Sequence, residues 1–168
     1  MLLGDLRADF PIPIAVVQHL DASRASRLAG ILARRTPLAV KEAANGDALT
    51  KGTVYIAPPG HHLVITSKGN VSLTDTDRVH FVRPSVDRLF ESAAAHCAPA
   101  VAVVLTGTGC DGASALGAIK QTGGVTIAQQ HAAFEGMPQA AIDTGLIDFI
   151  MPLEEIGARL TAITRSSG

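Results

Sequence analysis

The sequence predicts an α/β domain built on a doubly wound, mostly parallel sheet with a small antiparallel hairpin. Two unbroken apolar runs, Ile14 to Gln18 (IAVVQ) and Val101 to Leu105 (VAVVL), are rich in β-branched residues, as strands buried on both faces are. Helical segments alternate with these and other short runs, and such alternation implies parallel strands joined by crossovers. Lys68-Gly69-Asn70, set between two further β-rich runs, predicts the hairpin.

Pro13 bounds the first strand upstream. Ser23 can cap a helix through about Arg35, in which Leu28, Ile31 and Leu32 recur at helical spacing and which Pro37 stops. After the turn signal Asn45-Gly46 come strands at Val54 to Pro58, Leu63 to Thr66 and Val71 to Asp75. Pro84 suits the first turn of a helix that carries Val86, Leu89 and Phe90 on one side. The VAVVL strand runs into a glycine-rich loop, Thr106 to Gly112, and a helix follows through Ile119, ended by Gly123-Gly124. Val125 to Ala128 is the next strand. Helices from about Pro138 and Pro152 bracket a last strand near Ile147 to Ile150.

A chain of 168 residues is long enough for one domain with a real core, and its 47% apolar and 17% charged residues exclude a disordered chain. With 14 basic and 15 acidic residues, a net charge of −1, no basic run and 4% aromatics, no nucleic-acid partner is expected. The first residues carry Asp5, Pro11 and Pro13 rather than a basic segment followed by an apolar one, so a signal peptide is not expected. No apolar stretch approaches the roughly 20 residues of a membrane span, so no membrane insertion is expected and the expected location is cytoplasmic. Cys97 and Cys110 are too few for a disulfide framework and predict free thiols in a reducing compartment. His61 and His62 are adjacent and on a strand face opposite ways, and no metal-ligand spacing occurs, so neither metal nor cofactor is expected.

In open α/β sheets, ligands bind beyond the carboxyl ends of the strands. His19 directly follows IAVVQ, and Asp111 lies in the loop after VAVVL. A histidine and a carboxylate at neighbouring strand ends are the base and orienter of a hydrolytic triad, the carboxylate fixing the tautomer and stabilising the imidazolium. Each has a plainer reading: His19 as a structural histidine, Asp111 as a cap for the helix that follows. The loop also fits GxGxxG from Gly107 to Gly112, but the next strand ends in Ile127-Ala128-Gln129-Gln130, with no acid for a ribose, and Asp111 would crowd a pyrophosphate.

Several blocks together resemble one family. Ala8-Asp9-Phe10-Pro11 through His19, then Gly52-Thr53-Val54-Tyr55-Ile56-Ala57-Pro58, Arg83-Pro84-Ser85-Val86-Asp87, Leu105 to Gly112, and Gly136-Met137-Pro138 occur in the order found in the CheB-type protein-glutamate methylesterase catalytic domain. The resemblance covers nearly the whole chain and implies a single catalytic domain over residues 1–168, N-terminally short and without a receiver domain. It implies a carboxylic ester hydrolase that removes methyl groups from receptor glutamates and can deamidate receptor glutamines. It assigns His19 and Asp111 to the triad and the backbone N–H of Thr108 to the oxyanion hole. Thr108 stands where the family usually has Met, a change that a backbone donor survives. The implied partners are the cytoplasmic helices of methyl-accepting chemotaxis receptors, with a separate receiver protein as a further candidate.

Two departures stand out. Gln129 to Glu135 is short, and the family's GxSxGG turn, with its serine nucleophile, is not found in this chain. Ser23, Ser26, Ser85 and Ser114 each sit at or inside a predicted helix, not in a tight turn after a strand. An inactive domain that binds a receptor or signalling partner is therefore the alternative. In the strand order 3-2-1-4-5 the missing first strand would lie between IAVVQ and VAVVL. Direct pairing of those two, a strand from another chain, or poor solubility are the physical outcomes, with direct pairing or a gap expected.

Overall fold

The computed structural model describes residues 2–19 and 27–165. A short 3-10 turn at Leu2–Asp5 precedes β1 (Ile14–Val16). Then come α1 (Leu28–Ala33), β2 (Ala39–Glu42), β3 (Thr53–Ile56), β4 (His62–Ile65) and β5 (Val71–Thr74). The second half runs α2 (Val86–His96), β6 (Val101–Val104), α3 (Leu116–Gln121), β7 (Val125–Gln129), α4 (Gly136–Asp143), β8 (Phe149–Met151) and α5 (Leu153–Arg165). The capping role expected for Ser23 lies outside the described residues.

Two three-stranded parallel sheets carry the fold, in the orders β1-β3-β2 and β6-β7-β8, and β4-β5 forms the antiparallel hairpin that the glycine turn predicts. β3 is central because Val54, Tyr55 and Ile56 are buried, as a strand covered on both faces requires. β2 was not expected from the sequence. Its residues, Ala39-Val40-Lys41-Glu42, are mostly exposed at the outer edge, so no apolar run marks it. Helix α2 buries Val86, Leu89, Phe90 and Ala94, one stripe at helical spacing. It begins after Ser85, whose side chain accepts the Arg88 N–H as a cap, so Pro84 precedes the helix instead of opening its first turn.

β1 and β6 do not pair with each other: among the described residues β1 has β3 as its strand neighbour and β6 has β7. Direct pairing, one of the two expected outcomes, therefore does not occur, and the other, an unpaired edge on each side, is what the strand partners leave. Residues of β1 are only partly buried, whereas Ala102 and Val104 of β6 are buried. One apolar cluster still spans the two sheets, with Val54, Ile56 and Ile127 at its centre and Ile14, Val16, Val101 and Val103 packed against it.

The turn into β7 leaves no room for a side chain at Gly124: a Cβ there would stand 2.5 Å from the Ala100 carbonyl oxygen and 2.7 Å from Ile119 Cγ2. Gly124→Ala should therefore cost about 1–3 kcal/mol through overpacking. Gly30, inside α1 with nothing within 4 Å of its would-be Cβ, is the matched contrast, and Gly30→Ala should gain roughly 0.5–1 kcal/mol of helix propensity. Urea midpoints of the two variants check this; equal midpoints would mean that the turn relaxes without cost.

Candidate active site

The structure brings His19 and Asp111 together. His19 follows β1 and Asp111 follows β6, and His19 Nε2 lies 2.8 Å from Asp111 Oδ2 across the gap between the sheets. An ionised carboxylate only accepts, so Nε2 carries the proton and Nδ1 keeps its lone pair. The histidine side chain is about a quarter exposed, 26%, while that of Asp111 is 3% exposed. A partly exposed imidazole is thus backed by a buried carboxylate.

A buried carboxylate needs donors, and Asp111 takes them from the start of α2. Val86 N–H donates to Oδ2 at 2.6 Å, Asp87 N–H to Oδ1 at 3.0 Å and Ser85 Oγ–H to Oδ1 at 2.8 Å. Asp111 does cap a helix, but it is α2, reached across the fold, and not the helix that follows it in sequence. The first free N–H groups of a helix favour a negative charge, which makes this a stable seat for a carboxylate. Asp87 returns the favour: its Oδ1 accepts the Ala115 N–H at 2.9 Å, at the start of α3. Burial pushes the Asp111 carboxyl up, but the His19 bond, the two backbone N–H groups and the Ser85 hydroxyl together hold it below the usual carboxylate range.

Ser85 is fully buried and occupied as cap and donor, so it is no nucleophile. Ser114 lies in the exposed turn before α3, and Ser23 and Ser26 lie outside the described residues. His62 supports the site from beneath. It is fully buried, accepts the Ser85 N–H on Nδ1 at 3.1 Å, and so donates Nε2–H to the Asp77 carbonyl at 3.0 Å. Its neighbour His61 turns the other way and bonds Asp75. Sequence reasoning missed the parts of Ser85, Asp87 and His62; the Pro84-Ser85-Val86-Asp87 stretch looked like an ordinary helix start. Among the described residues no cluster of His, Cys, Asp or Glu could hold a metal ion.

The glycine-rich loop is shaped by packing on α4. A Cβ at Gly107 would lie 2.4 Å from Met137 Sδ. The Gly107 N–H donates to Phe134 O at 3.0 Å, and its carbonyl accepts from Met137 N at 2.8 Å. Gln129 Oε1, at the end of β7, accepts the Thr106 N–H at 3.0 Å. Close approach to a helix therefore accounts for the first glycine of the GxGxxG match. Thr108 lies at the exposed crest of this loop, and among the described residues no hydrogen bond occupies its N–H.

The Asp111 carboxyl is lowered in the folded state, so its contribution to stability is present above the unfolded value of about 3.9 and lost as pH falls through the lower folded value. Acid titration of unfolding should show that loss below about pH 4, and Asp111→Asn should flatten it. An unchanged acid slope in the variant would move the effect to another carboxylate, such as the Lys120-paired Asp148.

The family model described as CheB methylesterase matches residues 1–160. A protein-glutamate methylesterase/protein-glutamine glutaminase of Anaeromyxobacter dehalogenans is 46% identical over 98% of this chain and 49% of its own length. A Rhizobium meliloti protein of the same name is 41% identical over 98% of this chain and 47% of its own. This chain thus spans about half the length of these relatives. The crystal structure of the Thermotoga maritima CheB methylesterase catalytic domain superposes with a TM-score of 0.91 at 34% identity, covering 96% of this chain and 89% of that one. With the fold, the ordered motifs and the family model in agreement, the chain belongs to the CheB methylesterase family.

Proposed function

We propose that this domain hydrolyses methyl esters on glutamate side chains of methyl-accepting chemotaxis receptors, and deamidates receptor glutamines, by a Ser-His-Asp mechanism. The observation that carries this reading is the 2.8 Å bond between His19 and Asp111 at the carboxyl ends of two strands. The names of the curated relatives, which join methylesterase and glutaminase, support it. His19 Nδ1 takes the proton of a serine hydroxyl as that oxygen attacks the ester carbonyl, and Asp111 stabilises the imidazolium. The Thr108 N–H is the donor to the developing oxyanion. Methanol leaves with the histidine's proton, and water, activated by the same Nδ1, then frees the glutamate and the serine. The proposed setting is the cytoplasm, on the receptor's cytoplasmic helices, with a separate receiver protein as regulator.

Among the described residues no serine or threonine hydroxyl is bonded to His19. The gap offers a place for one: a parallel strand seated between β1 and β6 would run towards His19 and could end in a GxSxGG turn beside it. The same observation favours the second reading, a catalytically inactive domain that binds a receptor or signalling partner.

Methanol release from methylated receptor separates the two. The 168-residue chain alone should stay near the background rate on the unactivated methyl ester, since His19 has no hydroxyl to activate among the described residues. Turnover matching a full-length relative would overturn the assignment of an outside serine. Joined to an upstream strand bearing GxSxGG, the chain should turn over, and His19→Ala and Asp111→Asn should each lose about ten-thousandfold while remaining folded. A folded but inactive extended chain supports the binding domain. Either variant keeping most of its activity removes that residue from the triad.

A further inference from the structure

A second histidine–carboxylate pair lies beside the thiol of Cys110, the residue that precedes Asp111. His80 Nδ1 is 3.8 Å from Cys110 Sγ, and His80 Nε2 is 3.2 Å from Asp87 Oδ2. Cys110 is exposed, whereas the Asp87 side chain is 3% exposed. Asp87 Oδ1 is used by Ala115, but Oδ2 makes no hydrogen bond among the described residues, although His80 Nε2 stands only 3.2 Å from it. A buried, unsatisfied carboxylate oxygen is costly, and a histidine N–H is the donor that would relieve it.

The backbone at His80 is equally unusual. Val79 and Val82 exchange both backbone hydrogen bonds, at 3.1 and 2.9 Å, around a two-residue turn in which His80 and Phe81 have φ of 49° and 66°. Two successive left-handed residues are the geometry of a type I′ turn, for which Asn-Gly is suited. His and Phe each pay about 1–2 kcal/mol to adopt it. Strain of this kind, kept where a cheaper pair would serve, is a pointer to function. Here it sets the imidazole between the thiol and the buried carboxylate. The thiol and the carboxylate face opposite nitrogens of the ring, an order that suits a proton relay and not a shared metal ion.

We propose that Cys110, His80 and Asp87 form a second nucleophile–base–orienter relay that accepts acyl groups from activated carboxylic esters and thioesters. Asp87 holds the Nε2–H tautomer of His80, and Nδ1 takes the thiol proton. The Cys110 sulfur attacks the carbonyl carbon, a C–S bond forms, and the C–O or C–S bond to the leaving group breaks as that group takes the proton from His80. Water, deprotonated by the same nitrogen, then adds to the thioester; the C–S bond breaks, releasing the carboxylic acid and restoring the thiol. No outside oxidant or co-reactant is needed, and the chemistry does not depend on His19 finding a hydroxyl.

Cys97, exposed as well, is the internal control: partial burial pushes its thiol up and, among the described residues, no histidine is bonded to it. The test uses the 168-residue chain and p-nitrophenyl acetate. The expected result is a burst of nitrophenolate stoichiometric with protein, with the acetyl group mapped to Cys110 by mass spectrometry. Cys110→Ala should abolish the burst, and Cys97→Ala should leave it unchanged. His80→Ala should slow it about 100-fold, a general-base effect, and added imidazole should restore it. Asp87→Asn should slow the parent but add nothing in the His80→Ala background, as expected of a residue that acts through the histidine. Acetylation spread evenly over Cys97 and Cys110, or a His80→Ala burst equal to the parent's, would overturn the relay. Because methyl-ester turnover is not measured here, this result and the fate of the serine mechanism are read separately.

Discussion

The Asp111 carboxylate is the point on which the two halves of the domain converge. It is buried, and a buried charge is tolerated only when donors replace its lost water. Those donors come from three places: His19 beyond β1, Ser85 ahead of α2, and the first N–H groups of α2 itself. β1 and β6 share no ladder, so this hydrogen-bonded seat and the apolar cluster beneath it do the joining that a continuous sheet would otherwise do. Placement of the histidine is thereby tied to the packing of a helix that comes much later in the chain.

The same logic repeats one shell out. Asp87, in the first turn of α2, holds the start of α3 through Ala115, while Asp111, ahead of α3, holds the start of α2. Each helix start is capped by a carboxylate belonging to the neighbourhood of the other. Helix ends leave several N–H groups without partners, and two buried acids need several donors; the exchange satisfies both. It also leaves one acceptor over, Asp87 Oδ2, and that surplus is what faces His80.

Chemistry and architecture therefore share their parts. The gap between the sheets, the loop packed on α4 and the exposed crest at Thr108 all open at the carboxyl ends of the parallel strands, where α/β folds place their ligands. At this edge His19 and Asp111 lie within hydrogen-bonding distance of each other, and the proposed ester hydrolysis rests on that pair.

The strands with unbroken β-branched runs, the hairpin and the long helices were legible in the sequence, because each is marked by its own periodicity or turn chemistry. So were His19 and Asp111, since a strand end followed by a polar residue is a local signal. The edge strand β2 was not, because a mostly exposed strand carries no apolar run. Nor were the parts played by Ser85, Asp87, His62 and His80, whose partners lie far away in sequence and whose local setting looks like an ordinary cap or turn. By itself, then, the sequence determined the strands and helices that carry an apolar periodicity, and it singled out His19 and Asp111 as a candidate pair. Only the tertiary structure decided which strands stay unpaired, which helix Asp111 caps and which histidine meets which acid. Backbone periodicity is set by near neighbours, whereas the compensation of a buried charge depends on whatever donors the packed chain brings within 3 Å or so.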